Sequence, residues 1–110
     1  MAEIKKINSL GEYDEFINSP NTLNIIKIGS SWCGPCRTLE QNIASLTPDE
    51  VSGVLLGEID ADDEWAEDKL VELNIRGIPV MIAFKDGEEK ERVQGGMTKV
   101  ALTEFIERNK

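Results

Sequence analysis

Histidine is absent from this 110-residue chain, and cysteine occurs only twice, as Cys33 and Cys36. The first absence removes the commonest general base and the usual partner of a catalytic cysteine, so hydrolysis of the papain type is excluded. Zinc takes about four ligands, mostly Cys or His. With no histidine and no third cysteine, the chain does not build a zinc site by itself. Long hydrophobic runs are also missing, so no segment is expected to span a bilayer, and no membrane partner is expected. Residues 1–20 lack a basic start followed by an apolar core. With Met1 at the head of the chain, the expectation is no secretory leader. Positive charge is scarce: 12 Lys and Arg stand against 21 Asp and Glu, a formal net charge of −9. Phosphates repel such a chain, so nucleic acid is not an expected partner. The length suits one domain, residues 1–110, with a single core.

The two cysteines lie in Trp32-Cys33-Gly34-Pro35-Cys36, shortly after the apolar run Leu23–Ile28. A strand followed by Cys-x-x-Cys at the mouth of a helix is a place to make and break a disulfide. The thiolate is the working nucleophile, and a helix N-terminus stabilises an anion by ~0.3–1 kcal/mol or more. Pro35 is tolerated in a first helical turn, where its missing N–H costs nothing. Gly34 lets a partner chain approach Cys33. A permanent structural bridge is a poor alternative, because closing so short a loop constrains the unfolded chain little. A reactive pair with no other cysteine and no leader points to a reducing, cytoplasmic setting.

Periodicity predicts the order β-α-β-α-β-α-β-β-α. Ile4–Ile7 reads as a short strand. Leu10, Tyr13, Phe16 and Ile17 recur at helical spacing behind a Ser9-x-x-Glu12 capping box. Leu23–Ile28 reads as a strand buried on both faces. A helix is expected from Cys33 to about Leu46, with Leu39, Ile43, Ala44 and Leu46 for its core stripe, and Thr47–Glu50 as a capped turn. Val54–Asp60 is a strand, Glu64–Leu73 a helix, and Ile75–Ile78 a connection that Pro79 keeps from being helical. Val80–Lys85, the turn Asp86-Gly87 and the charged Glu88–Gln94 form a hairpin with an edge strand. Gly95-Gly96 bends the chain, and Thr98 caps a last helix with Val100, Ala101, Leu102, Phe105 and Ile106 on its apolar side. Parallel neighbours need crossovers, so the fold class is α/β, a central mixed sheet with helices on both faces. The cysteines then lie at the carboxyl end of a central strand.

Trp32-Cys33-Gly34-Pro35-Cys36 resembles the active-site sequence of the thioredoxin family. Ile75-Arg76-Gly77-Ile78-Pro79, followed by Val80–Phe84 and Lys85-Asp86-Gly87, resembles its second signature, and Gly95 matches a glycine before its last helix. The similarity runs from about Ile4 to Arg108. It implies the thioredoxin fold and a thiol–disulfide oxidoreductase that reduces protein disulfides through a redox-active Cys33–Cys36 disulfide, with no bound cofactor and no metal. Cys33 is then the exposed nucleophile and Cys36 the resolving cysteine. Pro79 is a cis-proline beside the disulfide, and the backbone of Ile78 pairs with substrate. Trp32, Gly34, Pro35, Ile78, Gly95 and Gly96 form the docking surface. The partners implied are protein disulfides and a thioredoxin reductase, a flavoprotein using NADPH or ferredoxin, and the chain is expected to be a monomer. Two alternatives are a more oxidising module, glutaredoxin-like or isomerase-like, that uses glutathione, and a non-catalytic binding subunit of a larger complex.

The departures from the family bear on mechanism. Six residues before Cys33 the family usually carries a buried aspartate, assigned to proton transfer at the second cysteine; here the residue is Lys27. The lysine often found near it on the next strand is Leu56, the aromatic two positions on is Gly29, and the helix-kinking proline is Gln41. Ala61–Leu73 is longer than in compact members. Lys27 has two readings. Its stem packs while its ammonium reaches water at the strand end, or its ammonium lies near Cys36 and supports a thiolate or moves a proton. Asp60, Asp62, Asp63, Glu64, Glu67 and Asp68 lack the glycine and distal glutamate of a calcium loop and suit a solvated helix start. Trp65 within them reads as a core anchor.

Overall fold

The structure is a computed structural model that describes residues 2–110. The elements follow in the order β1 (Lys5–Lys6), α1 (Leu10–Ile17), β2 (Leu23–Gly29), α2 (Gly34–Ala44), β3 (Val54–Asp60), a 3-10 turn (Glu64–Ala66), α3 (Glu67–Glu72), β4 (Val80–Lys85), β5 (Glu88–Gln94) and α4 (Lys99–Asn109). The sheet order is β1-β3-β2-β4-β5. β1 and β2 run parallel to β3, and β4 is antiparallel to both β2 and β5. This is the expected mixed sheet, and the seven residues of central β2 are all buried.

Alternation along the strands divides the core between two faces. Ile25, Leu56, Met81 and Ala83 pack with Leu39 and Ile43 of α2 and with Leu102, Phe105 and Ile106 of α4. Ile26, Ile28, Ile59, Val80, Ile82 and Phe84 pack with Tyr13 and Phe16 of α1 and Leu70 of α3. Burying each such apolar side chain contributes ~1.5–3 kcal/mol before entropy is charged against it. Among the described residues no helix is long and apolar enough to cross a membrane.

Apart from β2, which runs one residue further to Gly29, three elements differ from expectation at their ends. β1 is shorter than Ile4–Ile7, although the Ile7 N–H still donates to the Glu58 carbonyl (2.9 Å). The next N–H, of Asn8, is taken by the Glu12 carboxylate (2.9 Å), which turns the chain into α1. α2 stops at Ala44 rather than Leu46, because Ser45 turns its hydroxyl back onto the Asn42 carbonyl (2.7 Å); Leu46 is buried nonetheless. The third helix opens as the 3-10 turn. It closes with Asn74 at positive φ and with bonds from the Asn74 N–H to the Val71 carbonyl and from the Ile75 N–H to the Leu70 carbonyl, both 2.9 Å. That left-handed closure is a Schellman ending, with asparagine in the place usually held by glycine.

Only three polar or charged residues among those described are buried: Asn24, Lys27 and Ser30. Asn24 is satisfied by Thr22 and by the carbonyls of Ile17 and Ser19, and it ties the end of α1 to β2. The other two lie toward the carboxyl end of β2, below the cysteines.

Candidate active site

Cys33 is the N-cap of α2, with extended backbone (φ −95°, ψ 114°). The helix therefore begins one residue later than the sequence suggests. The Cys33 sulfur accepts the Cys36 N–H at 3.2 Å, one of the donors a helix leaves free at its start. Gly34 and Pro35 occupy the first helical positions, where proline fits. Cys33 and Cys36 form a disulfide with Cα atoms 5.3 Å apart. Cys36 is fully enclosed, whereas Cys33 keeps 6% of its surface. Cys33 is thus less exposed than the resemblance implies. It is still the one of the two with a face to solvent. On reduction, a thiolate at Cys33 takes the same N–H as a charge-assisted acceptor.

The sheet brings the other signature residues to the same end. β2 and β4 pair with Ile28 opposite Val80, which sets Pro79 beside Gly29. The Ile78–Pro79 bond is cis. The Pro79 carbonyl accepts the Gly95 N–H at 2.8 Å. Gly95 has φ +94°, a conformation L side chains rarely adopt, which accounts for a glycine there. Gly29 is explained by contact: a Cβ on it would lie 3.0 Å from the Cys36 sulfur. Pro35, Gly96 and Met97 line a shallow groove of about 660 Å³ between α2 and the start of α4. Trp32, 69% exposed, stands in the same motif, and its indole N–H donates to Asp62 at 2.7 Å. Ile75 and Ile78 are half-buried against the α1/α3 core, so Ile75 serves chiefly as packing.

Lys27 is the main departure from what the sequence offered. Its side chain is only 4% exposed, at the floor of a cleft it lines with Glu40 and Glu58. The ammonium pairs with Glu40 of α2 and, at 3.1 Å, with Glu58 of β3. Lys27 sits on the α2 face with Ile25. The space above Gly29 is bounded by both the Cys36 sulfur and the Lys27 Cε. The acidic run meets no metal requirement: among the described residues no group of three or more His, Cys, Asp or Glu could hold an ion. Its members instead fix local structure. Asp60 accepts the Asp62 N–H (2.9 Å), and Lys6 pairs with Asp60 and Asp63. Trp65 packs against the α1/α3 core as an anchor.

A disulfide whose first sulfur caps a helix, at the carboxyl end of the central strand of a mixed sheet, defines a thiol–disulfide exchange protein. Comparison with known proteins narrows the class. The thioredoxin family model matches residues 4–108. The chain is 37% identical over 101 residues to a thioredoxin of Chlamydia caviae, covering 92% of this chain and 94% of that one. It is 36% identical over 104 residues to a thioredoxin of Chlamydia pneumoniae, covering 94% and 97%. Its fold is similar to that of the Fasciola hepatica thioredoxin, with a TM-score of 0.84 and 25% identity, covering 97% of this chain and all of that one. The chain belongs to the thioredoxin family and is a thiol–disulfide oxidoreductase built on the Cys33–Cys36 couple. The glutaredoxin-like and binding-subunit alternatives are not favoured.

Sequence reasoning missed Glu40, Glu58 and Asp62 as parts of the site. Glu40 could have been reached, since it follows Cys36 by four residues and so shares its helix face. Glu58 becomes the neighbour of Lys27 only through the parallel register that sets them opposite each other.

Proposed function

We propose that the protein reduces disulfides in other proteins, with Cys33 as nucleophile and Cys36 as resolving cysteine. The Cys33 thiolate attacks one sulfur of the substrate disulfide; a Cys33–substrate bond forms, and the other substrate sulfur leaves and takes up a proton. Cys36 then gives up its proton and attacks the Cys33 sulfur. The Cys33–Cys36 bond forms, and the second substrate thiol is released. Two electrons and two protons pass to the substrate. A flavoprotein reductase returns the pair to its dithiol form, and the protein works as a monomer in the cytoplasm. Trp32, Gly34, Pro35, Ile78, Gly95 and Gly96 form the face on which an extended substrate segment docks, held by the backbone of Ile78 beside Pro79.

The observation that carries the order of attack is the difference in access: Cys33 keeps a solvent-facing edge and the helix-start N–H, while Cys36 is enclosed. With dithiothreitol as electron source, the protein should reduce insulin disulfides. Cys33→Ser should abolish turnover, and Cys36→Ser should accumulate covalent mixed disulfides. Turnover by Cys36→Ser at the wild-type rate, with no trapped adduct, would reverse the assignment of roles.

A further inference from the structure

A cleft lined by Lys27, Gly29, Glu40 and Glu58 holds a charge cluster that the reaction scheme leaves unused. Lys27 comes up from β2, Glu40 down from α2 and Glu58 across from β3. The arrangement follows from matching steps. Two strand residues advance ~6.6 Å and four helical residues ~6 Å. An antiparallel helix lying on β2 with Cys36 over Gly29 therefore sets Glu40 over Lys27, and Ile43 over Ile25 in the core below. Lys27 is almost fully buried, whereas the side chains of Glu40 and Glu58 are 43% and 32% exposed. A buried ammonium needs compensation, and two carboxylates supply it. They also leave the cluster with one negative charge in excess. The Lys27 Cε borders the same space as the Cys36 sulfur.

We propose that Lys27, Glu40 and Glu58 are positioning residues that set the redox balance of the Cys33–Cys36 couple, Lys27 favouring the reduced pair and the two glutamates opposing it. This rests on the cycling of Cys33 and Cys36 between dithiol and disulfide described above. The reduced pair carries a thiolate and the disulfide is neutral, so a fixed cation beside it stabilises the reduced form and a fixed anion destabilises it. In this chain the cation occupies the strand position, and the anions reach it from the helix and the neighbouring strand. The other charged groups of the cleft are committed elsewhere. Lys6 pairs with Asp60 and Asp63, and Arg37 donates to the Ser31 carbonyl at 3.1 Å. The cleft, about 400 Å³, is open to solvent. Charge at Glu40 can therefore be changed without emptying a packed core.

The test is equilibration with glutathione at neutral pH, where the protein disulfide and two glutathiones exchange with the dithiol and one oxidised glutathione. Lys27→Met should lower the dithiol-forming equilibrium constant at least threefold, ~14 mV for a two-electron couple, and raise the thiol titration midpoint. Glu40→Gln should move both quantities the opposite way, and Lys27→Arg should stay near wild type. Opposite signs from two partners of one ion pair are the signature of charge, because loss of a structural contact moves both variants alike. Shifts of the same sign, or constants within twofold of wild type for both Lys27→Met and Glu40→Gln, overturn the proposal. Because Glu40 is partly exposed, Glu40→Gln decides the sign on a folded protein even if Lys27→Met is unstable. Failure of the reductase reading has a different appearance: wild-type protein that equilibrates with glutathione but reduces no insulin.

Discussion

Single atoms decide much at this site. Gly29 is in close contact with the disulfide: the Cys36 sulfur and Cβ lie 3.0 and 3.3 Å from where a Cβ would be. In the oxidised protein that sulfur is bonded to Cys33 and cannot rotate away. Gly29→Ala should therefore destabilise the oxidised protein by ~1–3 kcal/mol, the usual cost of overpacking a tight core. The loss should be smaller in the reduced protein, where the Cys36 side chain can change rotamer. Urea unfolding of both redox forms measures the two values. Equal losses in both forms would place the cost in the backbone of β2 rather than at the sulfur. Gly57 within β3 is crowded in the same way, by the ring of Phe16 and the δ-methyl of Ile7, so these two strand glycines are explained by approach rather than by turning.

At the scale of elements, ends are where local chemistry shows most clearly. Ser9 caps α1, its hydroxyl accepting the Glu12 N–H at 3.1 Å, while Glu12 reaches back to the Asn8 N–H. Ser9→Ala should cost about 1 kcal/mol, within the ~0.5–2 kcal/mol typical of such caps, read as a shift in the denaturation midpoint at unchanged slope. A change in slope would mean that α1 frays as a unit rather than losing one bond. The same box at Thr47 and Glu50 is reciprocal: the Glu50 N–H donates to Thr47 and the Thr47 N–H to Glu50. Caps like these, the hairpin at Asp86-Gly87 and the buried Leu23–Ile28 strand were legible because each depends on residues a few positions apart. The active-site motif was legible for the same reason. The Lys27 cluster was not, since it needs three elements in register, and neither the alternation of β2 nor the periodicity of α2 names a partner across the gap. Trp32 and Asp62 are thirty positions apart and meet only when β3 lies beside β2.

Over the whole molecule, charged contacts join elements that the apolar core only stacks, and they set how stability responds to pH. Glu91 of β5 receives both arms of Arg108 from α4, at 2.9 and 2.8 Å, and the Asn109 amide at 2.8 Å, so the edge strand is fastened to the last helix. Those hydrogen bonds, Arg108 first, hold the Glu91 carboxyl down to about 2. Arg92 lowers Glu89 in the same way, chiefly by hydrogen bonding, and the Thr47 backbone N–H lowers Glu50. A carboxyl held low in the folded state binds protons more readily when unfolded. Its contribution is therefore present above the ordinary value of 4.5 and is lost as pH falls toward about 2. At the other end, burial first, then the carboxylates of Asp14, Glu72 and Glu89, push the Tyr13 phenol up from 10.0 to about 12. Its proton is held more tightly in the folded state, so that contribution is complete below pH 10 and lost as pH rises toward 12. Unfolding free energy plotted against pH should form a plateau that falls on the acid side below about 4.5 and on the alkaline side above about 10. Tyr13 is the chain's only tyrosine, so tyrosinate absorbance reports its ionisation directly. Tyr13→Phe should flatten the alkaline limb and leave the acid limb unchanged. Glu91→Gln should weaken the acid limb while sparing the alkaline one, because the two groups bind different elements on different faces of the sheet. Alkaline loss that persists in Tyr13→Phe would assign that limb to the cationic partners instead.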